Sequence, residues 1–169
     1  MRIPIFVSSP TDLNKDQESR RDIVVSELES LQFEPRALGR TDYPTGLPLR
    51  EVYSLATHCA GGIILGFKQI EVRDGVIKQG TAKEKQIEVP MAMPTPWNHL
   101  EAGILYGLAL PLLVFQEDSV SGGIFDHGVA DVFIHPMPKP RACDIDRDAL
   151  RQIFLKWSSL ARNRYYGTR

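Results

Sequence analysis

Gly61-Gly62-Ile63-Ile64-Leu65-Gly66-Phe67 decides the fold. It is a continuous apolar run rich in β-branched residues, without the alternation of a half-buried strand, so it reads as a strand covered on both faces. Upstream, Ile3-Pro4-Ile5-Phe6-Val7 is a second such run and ends in the polar loop Ser8-Ser9-Pro10-Thr11-Asp12. Residues 14–32 are helical in composition, with Ile23, Val24, Leu28 and Leu31 as the core face. Phe33 to Leu38 reads as a weak strand, 39–48 as a Gly- and Pro-rich loop, and Leu49 to Cys59 as a short helix with Val52, Leu55, Ala56 and Cys59 at helical spacing. A β-α-β-α-β order with continuous apolar strands predicts a parallel sheet with helices on both faces. Ligands of such sheets bind outside the carboxyl ends of the strands.

Downstream, residues 68–94 interrupt the rhythm. Ile70-Glu71-Val72-Arg73 and Val76-Ile77-Lys78 flank Asp74-Gly75, which predicts a tight hairpin; a further strand is expected at 86–89. The segment reads as an insertion at the end of the sheet, either decoration or an oligomer contact. Leu110 to Phe115 is the fourth core strand, 117–131 a polar loop, and Val132-Phe133-Ile134 a short fifth strand stopped by Pro136, Pro138 and Pro140. Asp146 is expected to cap a last helix with Leu150, Phe154, Trp157 and Leu160 on one face. The chain is expected to form one α/β domain over 1–169.

Bulk properties exclude several classes. The chain has 169 residues, 43% of them apolar and 24% charged, as in an ordinary globular domain. A net charge of −1 gives no electrostatic case for nucleic acid or for anionic membranes. The basic residues Arg162, Arg164 and Arg169 read as a solvated tail. Cys59 and Cys143 form no metal or disulfide framework, which fits reduced thiols in the cytoplasm. The N-terminus does not read as a signal peptide, and no apolar run approaches the ~18 residues of a membrane span.

The second informative stretch is Thr95-Pro96-Trp97-Asn98-His99-Leu100-Glu101-Ala102-Gly103-Ile104-Leu105-Tyr106-Gly107-Leu108. Thr95 suits an N-cap and Pro96 the first helical position. Trp97, Leu100, Ile104, Leu105 and Leu108 form an apolar stripe, and Glu101 falls inside it, about 40° from Trp97. A carboxylate on a core-facing stripe is costly unless paired, hydrogen-bonded or neutral. Glu101 is therefore either a structural carboxylate that braces a nearby loop or the centre of a reaction. His99 falls opposite the stripe and is expected to be exposed.

Three polar segments converge at the ligand end of the predicted sheet. Ser8, Ser9 and Asp12 lie at a helix start that suits phosphate or ribose oxygens, although Ser9 before Pro10 also makes a good cap. Asp42-Tyr43-Pro44-Thr45-Gly46 follows the second strand and is either a simple turn or a segment that closes over a ligand. Trp97 and Asn98 open the Glu101 helix: an aromatic there stacks on a base or packs in the core, and Asn98 suits a ribose hydroxyl. No GxGxxG, P-loop or GxSxG motif is present. His58, His99, His127 and His135 lack metal-site spacing, so no metal is expected.

Phe6-Val7-Ser8-Ser9, Trp97-x-x-x-Glu101 and Gly107-Leu108-Ala109-Leu110-Pro111-Leu112-Leu113-Val114 together resemble bacterial TIR-like domains. The same helix resembles the nucleoside 2-deoxyribosyltransferases, whose catalytic glutamate sits in E-x-G-x-A-x-x-x-x-K-P; this chain keeps Glu101, Gly103 and Pro111 but has Leu110 in place of Lys. The resemblance implies a flavodoxin-like three-layer fold with a five-stranded, mainly parallel sheet ordered 2-1-3-4-5, to which the residues at 68–94 add a β-hairpin insertion. It also implies that Glu101 cleaves an N-glycosidic bond. The favoured expectation is NAD as substrate rather than cofactor, giving nicotinamide and ADP-ribose or a cyclic product in bacterial antiviral signalling. The expected ligand contacts are Ser8, Ser9, Asp12, Asp42, Tyr43, Trp97 and Asn98. The expected partner is a second copy of the chain or an effector protein, with neither nucleic acid nor membrane. The alternatives are a deoxyribosyltransferase-like or nucleotide N-glycosidase enzyme, and a catalytically silent nucleotide-sensing or interaction module. The insertion departs from the shorter TIR pattern.

Overall fold

The computed structural model describes residues 2–43, 45–141 and 143–167. Pro44 and Arg169, which entered the sequence readings above, lie outside them. The chain runs β1 (Ile3–Ser8), α1 (Lys15–Ser30), β2 (Phe33–Arg36), α2 (Pro48–Thr57), β3 (Gly62–Gly66), β4 (Ile70–Val72), β5 (Val76–Ile77), β6 (Lys85–Gln86), β7 (Met91–Met93), α3 (Pro96–Gly107), β8 (Leu112–Gln116), a 3-10 turn (Gly123–Phe125), β9 (Ile134–Pro136) and α4 (Asp144–Gly167). The main sheet has the order β2-β1-β3-β8-β9, and every pairing in it is parallel. This is the parallel sheet with helices on both faces expected from the continuous apolar strands, in the three-layer, flavodoxin-like order that the resemblance implies. Among the described residues, no helix is long and apolar enough to cross a membrane.

Strand alternation builds two cores from one sheet. Ile3, Ile5 and Val7 of β1, Ile63 and Leu65 of β3, and Leu113 and Phe115 of β8 point to one face. There they meet Val24 and Leu28 of α1 and Phe154, Trp157 and Ala161 of α4. Phe6, Ile64 and Val114 point to the other, against Val52 and Ala56 of α2 and Ala102 and Leu105 of α3. Each core strand therefore buries both faces, which is why it reads as an unbroken apolar run.

Several sequence expectations are corrected. The fourth core strand begins at Leu112, because Ala109 takes a left-handed turn (φ 53°) and the Leu110 N–H still donates to the Leu105 carbonyl of α3 at 3.1 Å. The fifth runs over 134–136, with Phe133 left 84% exposed. α4 starts at Asp144, and its core face is Phe154, Trp157, Ser158 and Ala161, while Leu160 faces outward.

The hairpin about Asp74-Gly75 does not form. β4 pairs antiparallel with β7, and β5 pairs antiparallel with β6. The expected two-residue turn needs positive φ at both central residues, and Asp74 does not adopt it. The reversal lies further on, where Lys78 (φ 55°) and Gly80 (φ 75°) are left-handed and the Glu84 carboxylate accepts the Gly80 N–H.

The loop after β8 folds back over the carboxyl end of the sheet. Phe125 is buried against Gly66, where a Cβ would sit 2.3 Å from the ring. Gly66→Ala must therefore push Phe125 out of its seat. It is expected to cost about 1–3 kcal/mol in urea unfolding. Gly103→Ala, on α3 with nothing within 4 Å of the added carbon, is expected instead to stabilise by about 0.5–1 kcal/mol. Equal effects from the two substitutions would contradict the packing described.

Candidate active site

The carboxyl ends of β1 and β3 meet the first turns of α3 at a buried amide. Thr95 caps α3, its hydroxyl accepting the Asn98 N–H at 3.3 Å, and Pro96 takes the first helical position. Asn98 is 1% exposed. Its Nδ2 donates to Ser8 Oγ at 2.9 Å and to the Leu65 carbonyl at 3.3 Å, and its Oδ1 accepts from the Thr95 hydroxyl at 3.1 Å. Both N–H groups and the oxygen of the amide are thus bonded within the protein.

This anchoring fixes the rotation of α3 and corrects the stripe expected from periodicity. The buried positions are Asn98, Ala102 and Leu105, with Ile104 and Leu108 packed beside them. Trp97 and Leu100 are 42% and 48% exposed, so neither belongs to the core. His99 is not exposed either. Its ring packs edge-on against Phe125 at 5.6 Å and abuts Gly123, and burial lowers its pKa, opposed by Asp126.

Glu101, one turn beyond Asn98, is partly buried at the wall of a cleft of about 390 Å³. Ser9, Pro10, Thr11 and Asp12 line it from the loop after β1, Leu38 and Gly39 from the loop after β2, Thr95, Trp97 and Asn98 from the start of α3, and Gln69 from the start of the insertion. The loop after β1 is held in place by Arg40, whose guanidinium donates to the Pro10 and Thr11 carbonyls at 3.1 and 2.8 Å and pairs with Glu18 at 2.7 Å. Burial pushes the Glu101 carboxyl up to about 7, and a hydrogen bond from Ser8 opposes that shift. The cleft lining contains two carboxylates, Asp12 and Glu101, and no Lys, Arg or His.

Of the residues expected to contact a ligand, Ser9, Asp12, Trp97, Asn98 and Glu101 converge on this cleft. Ser8 lies behind it, 1% exposed and bonded to Asn98. Asp42 and Tyr43 do not line it. Asp42 accepts Arg36 Nε at 2.9 Å and the Thr41 hydroxyl at 2.8 Å, and the Arg36 hydrogen bond holds its pKa below the usual carboxylate range. That pair closes the base of the loop after β2, and Tyr43 stands 77% exposed beyond it. Gln69 and Arg40 were missed by the sequence reading. Gln69 carries no motif, and Arg40 gains meaning only when the loop after β1 is brought beside it.

Two larger cavities, of about 1210 and 460 Å³, run along α4 beside β8 and β9. They are larger than the Glu101 cleft but lie away from its carboxylate, and His135 is shared between them. Among the described residues, no group of three His, Cys, Asp or Glu side chains is placed to hold a metal ion. Cys59 is buried and Cys143 exposed, both as free thiols. No protein-family model matches the chain, and no curated protein matches it in sequence, so the likeness to TIR-like domains and deoxyribosyltransferases rests on the residues quoted above.

A buried carboxyl that prefers to be neutral is a cost to folding once it ionises. The folded pKa, about 7, lies above the reference of 4.5, so stability is lost as pH rises between them and the full loss is present above about 7. Glu101→Gln is expected to be more stable than the parent by about 2–3 kcal/mol at pH 8, with the difference vanishing below pH 4.5. Thermal unfolding across this range measures it; a pH-independent difference would mean that Glu101 is not desolvated as described.

Proposed function

We propose that this chain is a glutamate-dependent N-glycosidase acting on NAD, with Glu101 as the catalytic group. The observation that carries the reading is a desolvated carboxyl titrating near 7, set in a cleft whose titratable lining is acidic throughout. Breaking an N-glycosidic bond develops positive charge on the sugar, which a preorganised carboxylate in a dry cleft stabilises. Nicotinamide in NAD is already cationic. It leaves with the bonding electron pair as a neutral base and needs no proton donor. The cleft provides none besides Glu101, and its two carboxylates suit a cationic nicotinamide-ribose.

In this reading the C1′–N bond breaks with both electrons going to the nicotinamide ring nitrogen. Ionised Glu101 faces C1′, either as electrostatic partner or as a nucleophile forming a transient ester. Water then bonds to C1′ and gives up a proton, producing ADP-ribose; attack by a group of the substrate itself gives a cyclic product. Trp97, flat and half exposed at the lip, supplies a stacking wall for the base. Asp12 adds a second negative charge. The pyrophosphate would lie outside the cleft, where solvent screens it from these carboxylates. A signalling role in the cytoplasm, in antiviral defence and with a second copy or an effector as partner, belongs to the same proposal.

One observation favours a second reading. A cleft of about 390 Å³ without a cation in its lining also suits an uncharged nucleoside, with Glu101 as the nucleophile of a deoxyribosyl transfer or hydrolysis. Chromatography of products from NAD, nicotinamide riboside and deoxyadenosine separates the two. The proposal expects nicotinamide release from NAD, rising with pH through an apparent pKa of about 7, and a loss of about 10²–10³-fold in Glu101→Gln. Turnover of deoxyadenosine alone would favour the second reading. Undiminished nicotinamide release in Glu101→Gln would remove Glu101 from the mechanism, and saturable nucleotide binding without turnover would leave a sensing module.

A further inference from the structure

The cavity of about 460 Å³ lies on the face of the sheet opposite α3, between α1, the first turns of α4 and the segment that follows β9. We infer that this cavity is a binding site for a small monocarboxylic acid with an apolar body. The body lies against Phe115, and the carboxylate meets Lys139 at the rim. The inference does not rest on the N-glycosidase reading.

The chain makes this space in two ways. Pro136, Pro138 and Pro140 each fix φ and lack an N–H, so the segment after β9 is stiff and cannot continue the sheet. It is anchored by the Met137 N–H, which donates to the Gln116 carbonyl at 2.8 Å, and by the buried Met137 side chain. On the other side, α4 enters from solvent. Asp144 to Ala149 are all exposed, and the helix begins to bury side chains only at Leu150 and Phe154. Its first turns therefore overhang the sheet without packing on it. The space left between is walled by Ile23, Phe115, Met137, Leu150 and Ile153. Its volume falls within the roughly 300–1,000 Å³ of small-molecule sites.

Few polar groups reach these walls, and they select the head group of the ligand. His135 packs beside Phe115, with ring centroids 5.8 Å apart, and burial lowers its pKa, so it adds no charge at neutral pH. Arg147 is paired with Asp144. Asp146 stands in the first turn of α4, where the free N–H groups of the helix favour an anion. Lys139 is left over. Among the described residues it has neither a hydrogen bond nor an ion pair. An exposed ammonium at the rim of an apolar cavity complements a carboxylate whose tail is buried inside.

The test titrates octanoate and, in parallel, octan-1-ol into the full chain while ¹³C methyl resonances are followed by NMR. Both probes are expected to shift the methyls of Ile23, Met137, Leu150 and Ile153 saturably, because both carry the same apolar body. Octanoate is expected to bind about three- to fivefold more tightly than octan-1-ol, the effect of one exposed charge pair. Lys139→Gln is expected to remove that difference by weakening octanoate alone. Ala149→Trp places an indole in the cavity from an exposed helical position, and it is expected to abolish binding of both probes with the helical circular dichroism unchanged. Glu101→Gln is expected to bind both like the parent, which separates this site from the cleft. Absence of saturable shifts, shifts centred on Trp97 instead, or octanoate binding unchanged in Lys139→Gln would overturn the inference. So would methyl shifts that grow with protein concentration before any probe is added, since a second copy would then cover the cavity.

Discussion

The Asn98 amide is the interaction on which the candidate site depends. It is buried where two parallel strands end, and a bare amide there would carry a substantial desolvation cost. Its bonds to Ser8, Leu65 and Thr95 remove that cost and lock α3 in rotation against β1 and β3. The small Ala102 one turn later lets the helix lie close to the sheet, where Leu105 packs into the core. With the phase of α3 set in this way, Glu101 reaches the cleft wall and Trp97 reaches its lip.

Glu101 sits in a conflict between folding and chemistry. Moving a carboxylate out of water disfavours its charge, and no cation in the cleft lining compensates. One hydroxyl hydrogen bond opposes the shift. The balance leaves a group near 7, poised between a neutral acid and a stabilising carboxylate. A local rule broken by a partly buried, unpaired carboxylate is the pattern expected where stability gives way to function. The same absence of cations bears on the ligand: it suits a cationic or uncharged sugar–base unit and disfavours a phosphate inside the cleft.

Segments distant in sequence brace the ligand end. Gln17 completes a capping box with Asn14 at the start of α1, then donates onward to the Lys68 carbonyl and to Glu117 at 3.1 and 2.9 Å. Glu117 also accepts the Lys68 N–H at 2.7 Å, so α1 and the exits of β3 and β8 are tied together. Phe125 fills the space over Gly66, and His99, edge-on to the same ring, closes against Gly123. The loops around the cleft therefore rest on fixed strand ends.

The sequence by itself determined the layered architecture, because burial on both faces of a parallel strand forces a continuous apolar run, and β1, β3 and β8 show it; the strand order was implied by the family resemblance, not by the apolar runs. It also marked Thr95 and Pro96 as a helix start, which depends on neighbouring residues alone, and singled out Glu101 as a misplaced charge. It did not determine the phase of α3. Periodicity ranks side chains by polarity, and it placed Trp97 on the core stripe and left Asn98 off it, whereas an amide bonded to Ser8, Leu65 and Thr95 is buried more readily than an indole beside an open cleft. The pairing of β4 with β7, the withdrawal of Asp42 into a pair with Arg36, and the arrival of Gln69 and Arg40 at the site were likewise decided only by tertiary structure. Each joins groups that the local pattern does not relate, and their partners exist only once the sheet has brought its strand ends together.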